Sequence, residues 1–388
     1  NPDTAEATTE ELFTLEITAT PTLTSIVQDV ECIDQSQKTM TLSGSNFIVL
    51  SDGTTPSVQM GDIILAADAG QNCTPLSGPQ GGERCSELLV TLSQNQQVDG
   101  VYDIMVRNPF EQTCTSTDAL SYELISKPML SAISEDLDCT DQEDRTFSLT
   151  GSGFYTSGDG QLPSMEVGNI ILVADSLSDC TPLTGPAGGE VCSELSFTLT
   201  QGSAPVGLHN IVVHNPYNTC STEEVLTLET IPAPFIASID ESMECLNEEN
   251  QDIVISGQDF YIPANGGYPT VLIDGQPEMV TFATDCQALN AIGSGQLCDT
   301  LYVTLTSNSY AAGEHTIDVI NAEPAHCVSN TDSLILAPSP TLGSLTPLST
   351  CLVDSEQTIT LSGGDLLRNI GEGTEPTIHI LGSEFSTD

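Results

Sequence analysis

The sequence predicts an all-β protein made of tandem, disulfide-bonded antiparallel sandwiches. Three observations carry that expectation. Thirteen cysteines fall in register as Cys32, Cys73, Cys85, Cys114; Cys139, Cys180, Cys192, Cys220; Cys245, Cys286, Cys298, Cys327; and Cys351. The gaps within a set are 41, 12 and 28–29 residues, and the step between sets is 106–107. Short runs alternate apolar and polar residues between clusters of Gly, Pro, Asn and Asp, and no segment sustains a 3.6-residue period.

The register fixes the domain organisation. Asn1-Pro2, Asn108-Pro109 and Asn215-Pro216 recur at steps of 107, with Asn321-Ala322 in the third full copy. Residues 1–20 align with the end of a copy, and residues 339–388 with the beginning of one. Between them stand three complete copies, 21–126, 127–232 and 233–338. The chain therefore reads as a piece of a longer array, with any targeting or anchoring segment outside it. Domains of about 100 residues are also what a chain of this length should divide into.

Taking the second copy in order, MLSAI (129–133) is a first strand and RTFSLTG (145–151) a second. After a Gly-rich loop, SMEVG and NIILVAD form a hairpin about Gly168-Asn169. SELSFTLT, GLHNIVVHN and VLTLETI complete seven strands, the count of an antiparallel sandwich. Linkers of two or three residues containing Pro (SKP, PAP) join the copies and predict a semi-rigid rod.

Certain residues recur in every complete copy. Gly44-Ser45-Asn46-Phe47, Gly151-Ser152-Gly153-Phe154 and Gly257-Gln258-Asp259-Phe260 each end an apolar strand, and the fourth copy has Leu366 at the Phe position. With P-x-x-x-S-I before it, and P-x-V-x-x-G and G-x-Y/H-x-I-x-V after it, this pattern resembles IPT/TIG domains. The resemblance implies early-set immunoglobulin-like sandwiches and is similar to four-cysteine repeats of bacterial cell-surface proteins.

Charge narrows the partners. Fifty-five acids face six bases, a formal net charge of −49, and residues 146–367 hold no Lys or Arg. Nucleic acid and anionic membrane surfaces both require basic groups, so neither is an expected partner. No apolar run approaches the ~20 residues that span a bilayer, so no direct membrane insertion is expected. So acidic a surface stays soluble by self-repulsion, and salt near 1 M would screen it beyond about 3 Å. Thirteen cysteines without a CxxC imply an oxidising compartment: cell surface or secreted filament.

The second and third cysteines of each copy bracket a loop at one pole, which predicts Cys73–Cys85, Cys180–Cys192 and Cys286–Cys298. The first and fourth cysteines (Cys32, Cys114, Cys139, Cys220, Cys245, Cys327, with Cys351 opening the next set) leave three options. Bonds within a copy (Cys32–Cys114, Cys139–Cys220, Cys245–Cys327) need an unusual excursion between opposite poles. Bonds between neighbours, Cys32–Cys220 and Cys139–Cys327, would staple the array lengthwise. Cys114–Cys139 and its equivalents would leave Cys32 alone, because Ala7 fills the preceding fourth position.

Other candidates are sparse. The loops 51–56, 157–163, 262–269 and 370–376 carry glycines and, in three of them, acids before a proline. Oxygen ligands there could hold calcium through Asp52, Asp159 and Glu372, while turn chemistry explains the same residues. His209 and His315 stand where the first copy has Tyr102, a half-buried strand position unsuited to a base. Asn72-Cys73-Thr74 is the only N-glycosylation sequon. No metalloprotease, nucleophile-elbow, P-loop or dinucleotide motif is present, so no cofactor and no catalysis are expected. The sequence favours the shaft of an extracellular fibre, filament or adhesin stalk, with neighbouring copies or other surface proteins as partners. A ligand-binding or calcium-dependent receptor ectodomain, and accessory modules of an extracellular enzyme, are the rivals.

Overall fold

The computed structural model describes the chain except residues 1–15, 28–29, 34–36, 80, 95, 110–113, 141–142, 219, 224, 241–242, 247–250, 291–294, 307–308, 349–357, 368–375, 381–382 and 387–388. Its described elements are strands, apart from one 3₁₀ turn at Pro216–Asn218. Two compact units divide the chain. The first holds residues 1–135, 144–204 and 209–228; the second holds 136–143, 205–208 and 229–388.

The second copy shows the plan. One four-stranded sheet runs Met129–Ile133, Arg145–Thr156, Glu190–Leu199, Ser176–Pro182, all antiparallel. The other runs Leu137–Cys139, Leu226–Ile231, Gly207–His214, Ser164–Val167, Ile170–Val173, with the first two strands parallel. The third copy repeats both orders. Four strands against five, with a parallel edge strand on the last, is an immunoglobulin-like sandwich. Alternate residues point inward, as a half-buried strand requires: Phe147, Leu149, Leu195, Phe197, Ile211 and Val213 are buried in one cluster of the second copy. Equivalent apolar positions fill the first and third copies.

The Gly-x-x-Phe signature has a steric cause. A Cβ on Gly44, Gly151 or Gly257 would run into the carbonyl oxygen of Thr22, Met129 or Phe235 on the adjoining first strand. Two residues on, Asn46, Gly153 and Asp259 take φ values of 61°, 74° and 62°, the left-handed region that Gly, Asn and Asp tolerate. The pairing with the cystine hairpin shifts register across this bulge and resumes at the Phe.

The structure has nine strands per copy where the sequence suggests seven. The three-residue strand Leu137–Cys139 is too short to show a period. The run after the hairpin splits because the chain changes sheet at Ala174-Asp175: Ala174 N donates to Pro163 O at 2.9 Å, and Asp175 N donates to Ser196 O at 2.8 Å. In the first copy the same run continues unbroken as Ile63–Gln71 and joins both sheets.

Candidate functional site: the stapled junctions

Each of the three complete copies supplies the same small apparatus beside its fourth cysteine. The side chain of Asn215 accepts a hydrogen bond from Tyr155 N and donates one to Gly153 O, both at 2.9 Å. Asn108 does this with Ile48 N (2.9 Å) and Asn46 O (2.8 Å). Asn321 does it with Tyr261 N (2.8 Å) and Asp259 O (2.9 Å). The bulge leaves those backbone groups without ladder partners, and a buried amide offers one acceptor and one donor to fill both. The backbone N of the same Asn donates to the carbonyl of the fourth cysteine, at 3.0 Å for Cys114, 2.8 Å for Cys220 and 2.7 Å for Cys327. The recurring Asn-Pro dipeptide is therefore a recurring Asn: Asn321 keeps every contact although Ala322 follows it.

In the first unit, strand Val30–Cys32 runs parallel to Leu120–Ile125 of its own copy, pairing Val30 with Glu123 and Cys32 with Ile125. This carries Cys32 to the end of the first copy, where it is bonded to Cys220 of the second, Cα to Cα 5.5 Å. Val30, Ile125 and Tyr155 are buried around the cystine, with Leu183, Ala187 and Val191 packed beside them. Gly185 N donates to Glu123 Oε1 at 3.3 Å, and Lys127 Nζ meets Glu223 at 2.8 Å.

In the second unit the pattern returns. Leu137–Cys139 pairs in parallel with Glu229–Ile231, and Cys139 is bonded to Cys327, Cα to Cα 6.0 Å. Leu137, Ile231, Tyr261 and Ala325 surround that cystine. Asn290 donates to Glu229 Oε1 from its backbone N at 3.0 Å and from Nδ2 at 3.3 Å. Both staples span 188 residues.

Of the three sequence options, the structure thus contains the lengthwise one. The in-copy bond Cys32–Cys114 and the bond Cys114–Cys139 are absent, and Cys114 is a partly exposed thiol. The side chains of Cys245 and Cys351 lie outside the described residues. The short-range pairs are Cys73–Cys85, Cys180–Cys192 and Cys286–Cys298, each with Cα atoms 3.9 Å apart. They do more than close a loop: Cys180 and Cys192 face each other across two paired strands, as do Cys286 and Cys298. Glu83 and Glu190 stand beside two of these pairs, but bonded sulfurs offer no thiolate to a metal.

Buried acids are the feature that sequence reasoning missed. Glu31, Glu123, Asp138 and Glu229 are all buried at the junctions, 2–6% exposed. Glu31 meets Lys38 at 3.0 Å and accepts from Cys32 N at 3.2 Å. Burial pushes the Asp138 carboxyl up to about 6. Burial, with the charges of Asp136 and Glu229, pushes the Tyr261 hydroxyl up to about 12. The available signal was the acid directly before three of the four first cysteines (Glu31, Asp138, Glu244), submerged in a sequence rich in acids.

The calcium candidates do not converge. Asp52 is exposed and its carboxylate, accepting from Thr54 N at 2.9 Å, is held below the usual range by that bond. Asp159 is likewise lowered, by Ser157 and by Tyr217 Oη at 2.5 Å. In the third copy Asn265 makes the same kind of turn, accepting from Gly267 N at 3.2 Å. Among the described residues neither Asp belongs to a cluster of three or more potential ligands; Glu372 lies outside them. Asn72 is exposed at φ 52°, the left-handed bulge that Asp179 and Asp285 occupy in the other copies. His209 and His315 are buried. His315 joins Asp274 (2.7 Å) to Ala311 O (2.8 Å), much as Tyr102 Oη donates to Val98 O at 2.9 Å.

No protein-family model and no curated protein matches the chain. Solved structures similar to it include SGBP-B of the Bacteroides ovatus mixed-linkage glucan utilization locus, in complex with a heptasaccharide, at 10% identity over 86% of this chain and 70% of that one (TM-score 0.19). The ICAM-5 D1–D4 ectodomain fragment is 11% identical over 94% and 90% (TM-score 0.23). The eight N-terminal Ig domains of Down Syndrome Cell Adhesion Molecule are 13% identical over 84% and 38% (TM-score 0.23). The sheet orders themselves define the class: tandem immunoglobulin-like sandwiches. Five cystines among the described residues make the chain an extracellular multi-domain protein, and no described helix is long and apolar enough to cross a membrane.

Proposed function

We propose that the chain is the shaft of an extracellular fibre, filament or adhesin stalk, built from IPT/TIG-type repeats and without catalysis of its own. The observation that carries this is the overlap of the two staples. Cys139 lies inside the loop closed by Cys32–Cys220, and Cys220 lies inside the loop closed by Cys139–Cys327. Covalent paths then limit how far the chain extends even when its sandwiches unfold. Without staples, the 295 residues from Cys32 to Cys327 would stretch to roughly 1,000 Å at ~3.5 Å per residue. With them the shortest path runs Cys32 to Cys220, back along the chain to Cys139 with Cys180–Cys192 bypassing 12 of the residues between, then to Cys327: about 240 Å. Such stitching is useful to a protein under tension and pointless in one that only presents a binding loop.

Pulling single molecules between handles at residues 32 and 327 tests this. The oxidised protein should stop at about 240 Å, and Cys139→Ser, which leaves Cys32–Cys220 and the stretch from Cys220 to Cys327 with Cys286–Cys298 intact, should lengthen that limit to about 330 Å. An oxidised protein that extends as far as the reduced one overturns the reading. One observation favours the receptor-ectodomain alternative: Phe282 and Tyr302 stack at 3.9 Å on the third copy, Phe282 being 46% exposed, where the second copy pairs Ser176 with Ser196.

A further inference from the structure

The first copy carries the junction apparatus of the other two with one bond missing. Asn108 grips Ile48 N and Asn46 O, and its backbone N holds the Cys114 carbonyl at 3.0 Å, as at Asn215–Cys220 and Asn321–Cys327. Cys220 and Cys327 are fully buried half-cystines, each bonded to a first-position cysteine exactly one copy earlier in the array, whereas Cys114 is a partly exposed thiol. Just before the copy begins, Glu16 and Ile17 stand in register with Glu123 and Leu124. Ile17 is 85% exposed and Leu124 is 1% exposed. The same position is thus a ligated sulfur twice, with the same 188-residue spacing.

We infer that Cys114 is the acceptor half of a further staple, and that its partner is an acid–cysteine edge strand of the kind Val30-Glu31-Cys32 or Leu137-Asp138-Cys139, supplied by another copy. That copy stands either earlier in the same polypeptide or in a second chain; Met243-Glu244-Cys245, which pairs in parallel with the last strand of its copy, is a strand of this kind. Bond formation takes one proton and one electron from each thiol. The two electrons cleave an oxidised small-molecule disulfide such as oxidised glutathione, whose two sulfurs take up the protons. This inference extends the stapled-shaft reading, and one map separates the two. Cys32–Cys220 found together with an alkylated Cys114 keeps the staples and removes the inference.

The test is non-reducing peptide mapping of protein secreted by its source cells and alkylated on harvest. Cys114 should emerge bonded to a first-position cysteine. A gel ladder that collapses with dithiothreitol, with Cys114 joined to the Cys245 peptide, assigns a second chain; a monomer joined to an upstream peptide assigns the same polypeptide. In a second arm, the 388-residue chain is incubated in glutathione buffer with a synthetic peptide of sequence 134–142. Mixed-disulfide formation at Cys114 should outpace a scrambled peptide at least tenfold. Cys114 recovered alkylated, bonded to another class of cysteine, or indifferent to peptide sequence overturns the inference.

Discussion

The Asn of the Asn-Pro dipeptide shows how one side chain sets a junction. Asn215 bridges Tyr155 N and Gly153 O inside the bulge, and its own backbone N holds Cys220. Tyr155 packs on the Cys32–Cys220 cystine, so the amide positions an aromatic ring that belongs to the joint. Asn215 is 2% exposed, so water cannot replace the lost partners if the amide is removed. Asn215→Ala leaves a buried N–H and a buried carbonyl unpaired, and each such group costs on the order of 1–3 kcal/mol. The variant should lose about 3 kcal/mol in urea denaturation. A loss below about 0.5 kcal/mol would mean that the clamp is incidental to stability.

At the scale of the element, the three-residue strand Leu137–Cys139 makes the staple possible and is also its weakest-looking part. It places Asp138 at 5% exposure, with its carboxyl raised to about 6 by burial. The sign follows from the raised value. Between about pH 4 and 6 the folded chain keeps a proton that the unfolded chain has lost, so stability falls as pH rises through that window. Asp138→Asn removes the slope. It should raise stability at pH 7.5 by about 1 kcal/mol, allowing for partial solvent screening, and change little at pH 3.5. Thermal melts at the two pH values check it, and equal shifts at both would refute it. This strand also marks what the sequence leaves hidden. Period-two runs and the Gly-x-x-Phe bulge were legible because sterics impose them on every copy. A strand of three residues has no period to read. The sheet change at Ala174-Asp175 is made by backbone hydrogen bonds, which any residue can supply. Buried Glu123 and Glu229 look in sequence like the solvated acids around them, and only the fold shows that they meet the backbone of the next copy's cystine loop.

For the whole molecule, the six basic residues turn the bonding pattern into a readable digest. Trypsin cuts after Lys38, Arg84, Arg107, Arg145 and Arg368, while Pro128 protects Lys127, giving peptides 1–38, 39–84, 85–107, 108–145, 146–368 and 369–388. With thiols alkylated and cystines intact, Cys73–Cys85 joins 39–84 to 85–107. Cys32–Cys220 ties 1–38 to 146–368, and Cys139–Cys327 ties 108–145 to it. Bonds within copies would assemble the same three peptides in a different order, so the wild-type digest alone does not separate the topologies. Cys139→Ser does. With lengthwise staples, the variant should release 108–145 and leave 1–38 on 146–368; with in-copy bonds, 1–38 would leave attached to 108–145 instead. The loop-entropy relation gives about 5 kcal/mol for closing a 188-residue loop against about 3 kcal/mol for a 12-residue one. The same variant should therefore melt well below wild type, and below Cys180→Ser as well. A melting temperature for Cys139→Ser at or above that of Cys180→Ser would show that the long staple restrains the chain without stabilising its folded state.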